Sequence, residues 1–227
     1  MYAITNFIKY RLTAFKSMVA MANRQIEALY EPNKTKAALE SLLQDLGINA
    51  PLSRQQFINK SAIIELPKNT VLFKAGGTNN KEYLLLEGIM HRYNLSEKGT
   101  MVTTGFYLPG SVVTPHFART SKSKSIFSTQ ALTNALLAAI PVAELDALRE
   151  SNSEFRDFGQ RVVEKELSTA LQLDVAFRSY NAKERLLAMR KQYPSLENEV
   201  PHPVIASYLG ITNVSFSRLR KELSVKH

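Results

Sequence analysis

Short apolar runs broken by turn residues fill the middle of the chain, while helical periodicities occupy both ends. Residues 2–30 and 36–46 carry helical spacing. In the second stretch Leu39, Leu42, Leu43 and Leu46 share one face, and Gly47 supplies the stop. From Ser61 the period shortens. Runs rich in β-branched and aromatic residues are separated by Pro67-Lys68-Asn69, Gly76-Gly77-Thr78-Asn79-Asn80, Glu87-Gly88, Glu97-Lys98-Gly99 and Pro109-Gly110. Strands of four to eight residues with turns at that frequency predict an antiparallel barrel or sandwich. Residues 116–125, HFARTSKSKS, read as a polar basic loop. SIFSTQALTNALLAAIP then reads as a strand pair turning at Asn134.

Pro141 opens a helical region predicted to run to about Phe177. Within it Phe155, Phe158, Val162, Leu167, Leu171 and Val175 form one long stripe, suited to a twin helix in a dimer. A further helix, AKERLLAMRKQY, follows Ser179-Tyr180-Asn181 and is stopped by Pro194. The segment SLENEVPHP leads from it into VIASYLGITNVSFSRLRKEL. This last stretch meets the physical requirements of a helix-turn-helix. Ile205 and Leu209 form the apolar face of the first helix, and Ala206 is small enough for close approach. Gly210 tolerates the turn, Ile211 plugs behind it, and Thr212 caps the second helix, which turns Phe216 and Leu219 inward. Asn213, Val214, Ser215, Ser217, Arg218 and Lys221 are left outside. Arg pairs bidentately with guanine, Asn with adenine, Ser with base or phosphate, and Val lies against a thymine methyl. No acidic residue stands at the leading end of that helix, where a phosphate backbone would repel it.

Charge agrees with that reading once it is located. The chain of 227 residues carries a net +9, unevenly spread. Residues 1–36 hold six Lys/Arg against two Glu, residues 37–177 hold fourteen of each sign, and residues 178–227 hold nine against four. A basic end on a balanced body points to a polyanion partner. Cysteine is absent, which excludes disulfides, thiolate nucleophiles and cysteine-ligated metal or iron–sulfur sites. His91, His116, His202 and His227 lack metal-ligand spacing, so no metal and no cofactor are expected. No run approaches a membrane span, and Lys9, Arg11 and Lys16 interrupt the apolar amino terminus; a cytoplasmic protein is expected. There is no nucleophile elbow, no phosphate-cradling glycine loop and no paired carboxylates at telling spacing, so no enzyme and no catalytic residue are expected.

The order of parts resembles the cyclic-AMP receptor protein/fumarate-nitrate regulator (Crp/Fnr) family of bacterial transcription factors over roughly residues 37–223. The resemblance rests on Lys68-Asn69-Thr70-Val71-Leu72-Phe73, on Tyr83-Leu84-Leu85-Leu86-Glu87-Gly88, on the long helix, on Asn181-Ala182-Lys183-Glu184-Arg185-Leu186 and on IASYLGIT…SRLRKEL. The tail is most similar to the Crp-like regulators common in Bacteroidetes. The resemblance implies an α+β protein: a jelly-roll-like antiparallel β-roll of the cyclic-nucleotide-binding type, a long dimerisation helix and a (winged) helix-turn-helix. It divides the chain into a basic amphipathic extension (1–36), the roll (37–150), the dimerisation helix (151–178) and the DNA-binding domain (179–227). It also implies a homodimer on a near-palindromic operator of double-stranded DNA. By position Asn213, Val214, Ser217 and Arg218 match base-facing residues, and Thr212, Ser215 and Lys221 match backbone contacts.

The departures are in the roll. Thr114-Pro115 stands where the family's cyclic-nucleotide binders carry Gly-Glu for the ribose, and Ser125-Ile126 stands near their phosphate-holding Arg-Ser. A buried cyclic phosphate would lack its guanidinium and amides, so no response to cyclic AMP is expected. Arg119, Lys122 and Lys124 are the candidates for a different anionic effector. A second reading of the chain follows from them: a small-molecule-sensing roll in which DNA binding is secondary.

Overall fold

The computed structural model describes residues 32–113 and 124–224. The expected helix over residues 2–30 lies outside them. Helix α1 (Pro32–Asp45) and helix α2 (Pro51–Lys60) precede eight strands. The division expected at residue 36 therefore falls inside α1. Helix α2 occupies residues for which the sequence pattern predicts no element. It starts on Pro51, whose fixed φ and missing N–H suit a first helical position.

The strands form two antiparallel four-stranded sheets. One runs in the order β1 (Ala62–Leu66), β8 (Ala135–Pro141), β3 (Lys81–Glu87), β6 (Val112–Val113). The other runs β2 (Val71–Phe73), β7 (Ser128–Ala131), β4 (Met90–Leu95), β5 (Met101–Tyr107). The turns fall where turn residues predicted them, with positive φ at Asn69, Gly76, Gly88, Gly99 and Gly110. Between the sheets lie Leu66, Tyr83, Leu85, Met90, Tyr107, Val113, Ala131, Leu137 and Ala139. The alternate residues Leu84, Ala138 and Ile140 point the other way, into a second core with Leu39, Leu43, Ile48, Phe57, Leu145, Leu148, Phe155 and Phe158. Strand β8 is buried on both faces for this reason, which is why its sequence is continuously apolar.

The helical region expected from Pro141 to Phe177 is two helices, α3 (Val142–Ser151) and α4 (Ser153–Ser179), parted by Asn152. Asn152 adopts extended backbone and its side chain accepts from the Glu154 N–H, making it the N-cap of α4. The Glu154 carboxylate in turn accepts from the Asn49 and Ala50 amides at 2.9 and 3.0 Å, immediately before α2. That places a negative charge on the positive end of the helix dipole. The root of the long helix is thereby tied to the amino-terminal helical pair. Helix α4 has 27 residues, about 40 Å of rise.

The expected stripe along α4 splits in two. Phe155 and Phe158 are buried in the second core, and Val162 packs against it. Leu167, Leu171 and Val175 are 58, 59 and 51% exposed.

Helices α5 (Ala182–Gln192), α6 (Leu196–Glu199), α7 (His202–Tyr208) and α8 (Asn213–Ser224) complete the chain. Helix α5 opens on a capping box, with Asn181 accepting from the Lys183 and Glu184 amides and Glu184 reaching back to the Asn181 N–H. No strand occurs among the described residues after Pro141, so the described head carries no wing; α6 occupies the connection instead.

Candidate nucleic-acid interface

Helices α7 and α8 meet at Gly210, whose φ is +67°. A Cβ there would come within 3.0 Å of the Phe177 ring, so both the turn and the packing of the long helix require glycine. Ile205, Ala206, Leu209 and Phe216 are all buried, with Ile211 and Leu219 packed against them. The Thr212 hydroxyl accepts from the Ser215 N–H at 3.1 Å and caps α8. Every residue the sequence pattern placed inside this hairpin is inside it.

On the opposite side of α8, Asn213, Val214, Ser217, Arg218 and Lys221 are exposed. Val214, Ser217, Arg218 and Lys221 follow the three-and-four spacing of a single helix face. Ser215 differs from the expectation: it is half-buried, and its hydroxyl lies 3.0 Å from that of Thr212. Arg220 turns away from this face. It pairs with Glu197, which also holds Arg190, and its guanidinium lies over the Phe216 ring. Within Arg218-Leu219-Arg220-Lys221, two cations are thus presented and one is structural.

The head is anchored to the roll. Ser207 of α7 accepts from the Thr103 N–H at 3.0 Å and donates to the Met101 carbonyl at 3.1 Å, satisfying part of the free edge of β5. Beside it Phe106 packs against Tyr208 and Tyr193, with ring centroids 4.9 and 5.7 Å away. Sequence periodicity does not single out Tyr193, Ser207 or Tyr208. Their partners on β5 lie about 87 to 106 positions away in the chain.

Inside the roll, Arg92 of β4 reaches Glu166 of α4 at 2.9 Å, and its guanidinium stands over the Phe127 ring at 5.8 Å. The absence of a side chain at Gly105 makes room: a Cβ there would lie 2.5 Å from the Arg92 side chain. The buried Tyr107 hydroxyl lies by this pair with no hydrogen-bond partner of good geometry among the described residues. Burial pushes its phenol well above the ordinary range, while Arg92 pulls it down.

Of the candidate effector residues, Arg119 and Lys122 lie outside the described residues, as do Thr114 and Pro115. Lys124 is exposed and forms an isolated antiparallel bridge with Thr78. Ser125 is buried while Ile126 is half exposed. His91 is fully buried, bonded to Thr103 and Gln130 at 3.2 and 3.3 Å. Among the described residues no three His, Asp or Glu side chains converge as a metal site, and no helix is long and apolar enough to cross a membrane.

A profile of the cyclic nucleotide-binding domain matches residues 63–152. The similarity to whole proteins runs well beyond that segment. An anaerobic regulatory protein of Haemophilus influenzae is 29% identical over 192 residues, covering 78% of this chain and 74% of that protein. The fumarate and nitrate reduction regulatory protein of Yersinia pestis is 27% identical over 165 residues, covering 68 and 65%. The similarity is to regulators of the Crp/Fnr family. A crp/fnr-family protein from Eubacterium rectale shares the fold with a TM-score of 0.63 at 14% identity, over 78% of this chain and 84% of that one. Crp/Fnr proteins are DNA-binding regulators that act as dimers, and they are not enzymes.

Proposed function

We propose that this chain is a sequence-specific transcriptional regulator that binds a near-palindromic DNA operator as a homodimer. The observation that carries the reading is the division of α8 by face: Phe216 is buried and Leu219 packs against the core, while Asn213, Val214, Ser217, Arg218 and Lys221 are exposed. In the proposed complex the exposed side chains enter the major groove, where Arg218 and Asn213 pair with base edges. Lys221 and the Thr212–Ser215 cap meet phosphates; these contacts supply affinity and salt dependence and set the register.

The dimer seam is the outer half of α4. Leu167, Leu171 and Val175 repeat every four residues and are more than half exposed among the described residues, and a groove of about 650 Å³ continues the apolar surface past Phe177 and Tyr180 to α5. Two such helices side by side would bury the stripe.

Cyclic AMP is not the effector in this reading. The space between roll and long helix is bridged by the chain's own Arg92–Glu166 pair, packed against Phe127, and Ser125-Ile126 stands near the position of the family's phosphate-holding Arg-Ser. The protein works in the cytoplasm, where its operator is.

Selection of bound sequences from random DNA by the purified full chain tests the proposal. A palindrome with half-site centres about 10–10.5 base pairs apart is expected; recovery of no motif contradicts it.

A further inference from the structure

Val214 is 61% exposed on the first turn of α8, although Phe216, two residues on, is fully buried. A β-branched side chain there is a modest helix former, and the described residues leave most of it uncovered. Its neighbours along the face are Ser217 at i+3 and Arg218 at i+4, both exposed. The surface is thus one isopropyl group set at the leading edge of a cationic, hydrogen-bonding stripe. Residues 178–227 carry nine Lys/Arg against four Glu, so the stripe suits an anionic partner. Within the major groove of DNA the prominent apolar group on a base edge is the 5-methyl of thymine. Residues 211–221 contain no Asp or Glu, so this part of the helix has no carboxylate to accept from cytosine N4.

We infer that Val214 is a specificity-determining residue that selects thymine in each half-site through its 5-methyl group. The inference rests on α8 being the reading helix. Discrimination against cytosine at that position comes from the missing methyl and from the missing acceptor together. Arg218, one turn further along the same face, addresses a nearby base pair.

The test uses the full chain and the duplex it enriches from random DNA. Each thymine of a half-site is replaced singly by deoxyuridine, which removes the methyl and keeps the pairing. One position is expected to lose about fourfold in affinity per methyl, the equivalent of roughly 0.8 kcal/mol. Val214→Ala abolishes the loss at that position. Val214→Glu, which supplies an acceptor, moves the enriched base there from thymine to cytosine. Both variants alter an exposed side chain, and unchanged circular dichroism and melting confirm their folding. Equal affinity for thymine and deoxyuridine at every position overturns the inference, as does a Val214→Ala protein that keeps the loss. An enriched motif without methyl sensitivity overturns this inference alone; the absence of any enriched motif overturns the reading of α8 with it.

Discussion

Arg92 on strand β4 and Glu166 in the middle of helix α4 meet at 2.9 Å, each with roughly a fifth of its side chain exposed. The pair joins the inside of the roll to the helix whose next residue, Leu167, begins the exposed stripe. Removing one partner strands the other charge in a poorly hydrated site, and a loss of about 2–3 kcal/mol is expected for Glu166→Ala. Replacing both, as Arg92→Met with Glu166→Leu, is expected to recover most of that loss. Denaturant unfolding of the two singles and the double provides the check; strictly additive losses would show that the pair is not coupled.

The two exposed cations of α8 are expected to behave differently. Arg218→Ala should cost about 1–3 kcal/mol on the selected operator and flatten preference at one base position. Lys221→Ala should weaken binding about equally on operator and random DNA and reduce the salt slope by about one unit. Titrations on both duplexes at several salt concentrations separate the two. Equal losses for Arg218→Ala on both duplexes would remove it from base readout.

Leu171→Glu places a charge on the exposed stripe of α4, at a side chain that lies outside the cores of the described residues. Sedimentation of this variant should show monomer while circular dichroism stays unchanged, and operator affinity should fall because the two heads are no longer joined. A variant that remains dimeric would move the seam elsewhere.

Burial holds the His91 imidazole below its ordinary pKa of 6.5, against a smaller upward pull from Gln130. The folded protein therefore resists protonation there more than the unfolded chain does. Its contribution is complete above about pH 6.5 and declines as pH falls below that value, by at most about 1.4 kcal/mol per pH unit. His91→Phe should remove this acid dependence. Stability measured from pH 7.5 to 5 should fall for the parent and stay flatter for the variant.

Phe106→Ala deletes the ring that packs on Tyr193 and Tyr208 at the joint of roll and head. A cost of roughly 3–5 kcal/mol is expected, as for other buried aromatics. Near-ultraviolet circular dichroism of the tyrosines follows the loss, and a small effect would mean that the head is held mainly by Ser207 on the edge of β5.

The parts built from neighbouring residues are legible in the chain's local pattern. Gly210 at the turn, Thr212 as a cap and Phe216 inside α8 are set by spacings of one to four residues. So are the turns at Gly88, Gly99 and Gly110, because backbone sterics and side-chain direction act at that range. What covers an apolar position is not written at that range. Phe155 and Leu171 belong to one periodic stripe, yet the first is core of its own chain and the second is exposed. Glu154 caps α2 across about 105 positions, Arg92 finds Glu166 across 74, and Ser207 satisfies the β5 edge across about 105. The sequence by itself determined the turns, the α7–α8 hairpin and the split of α8 into a buried and an exposed face, since each is a local choice of dihedrals and periodicity. Only the tertiary structure decided which helix end is tied to which, how the roll interior is filled and how the head is seated. Those outcomes depend on distant groups meeting to satisfy charges and amides that no local pattern pairs.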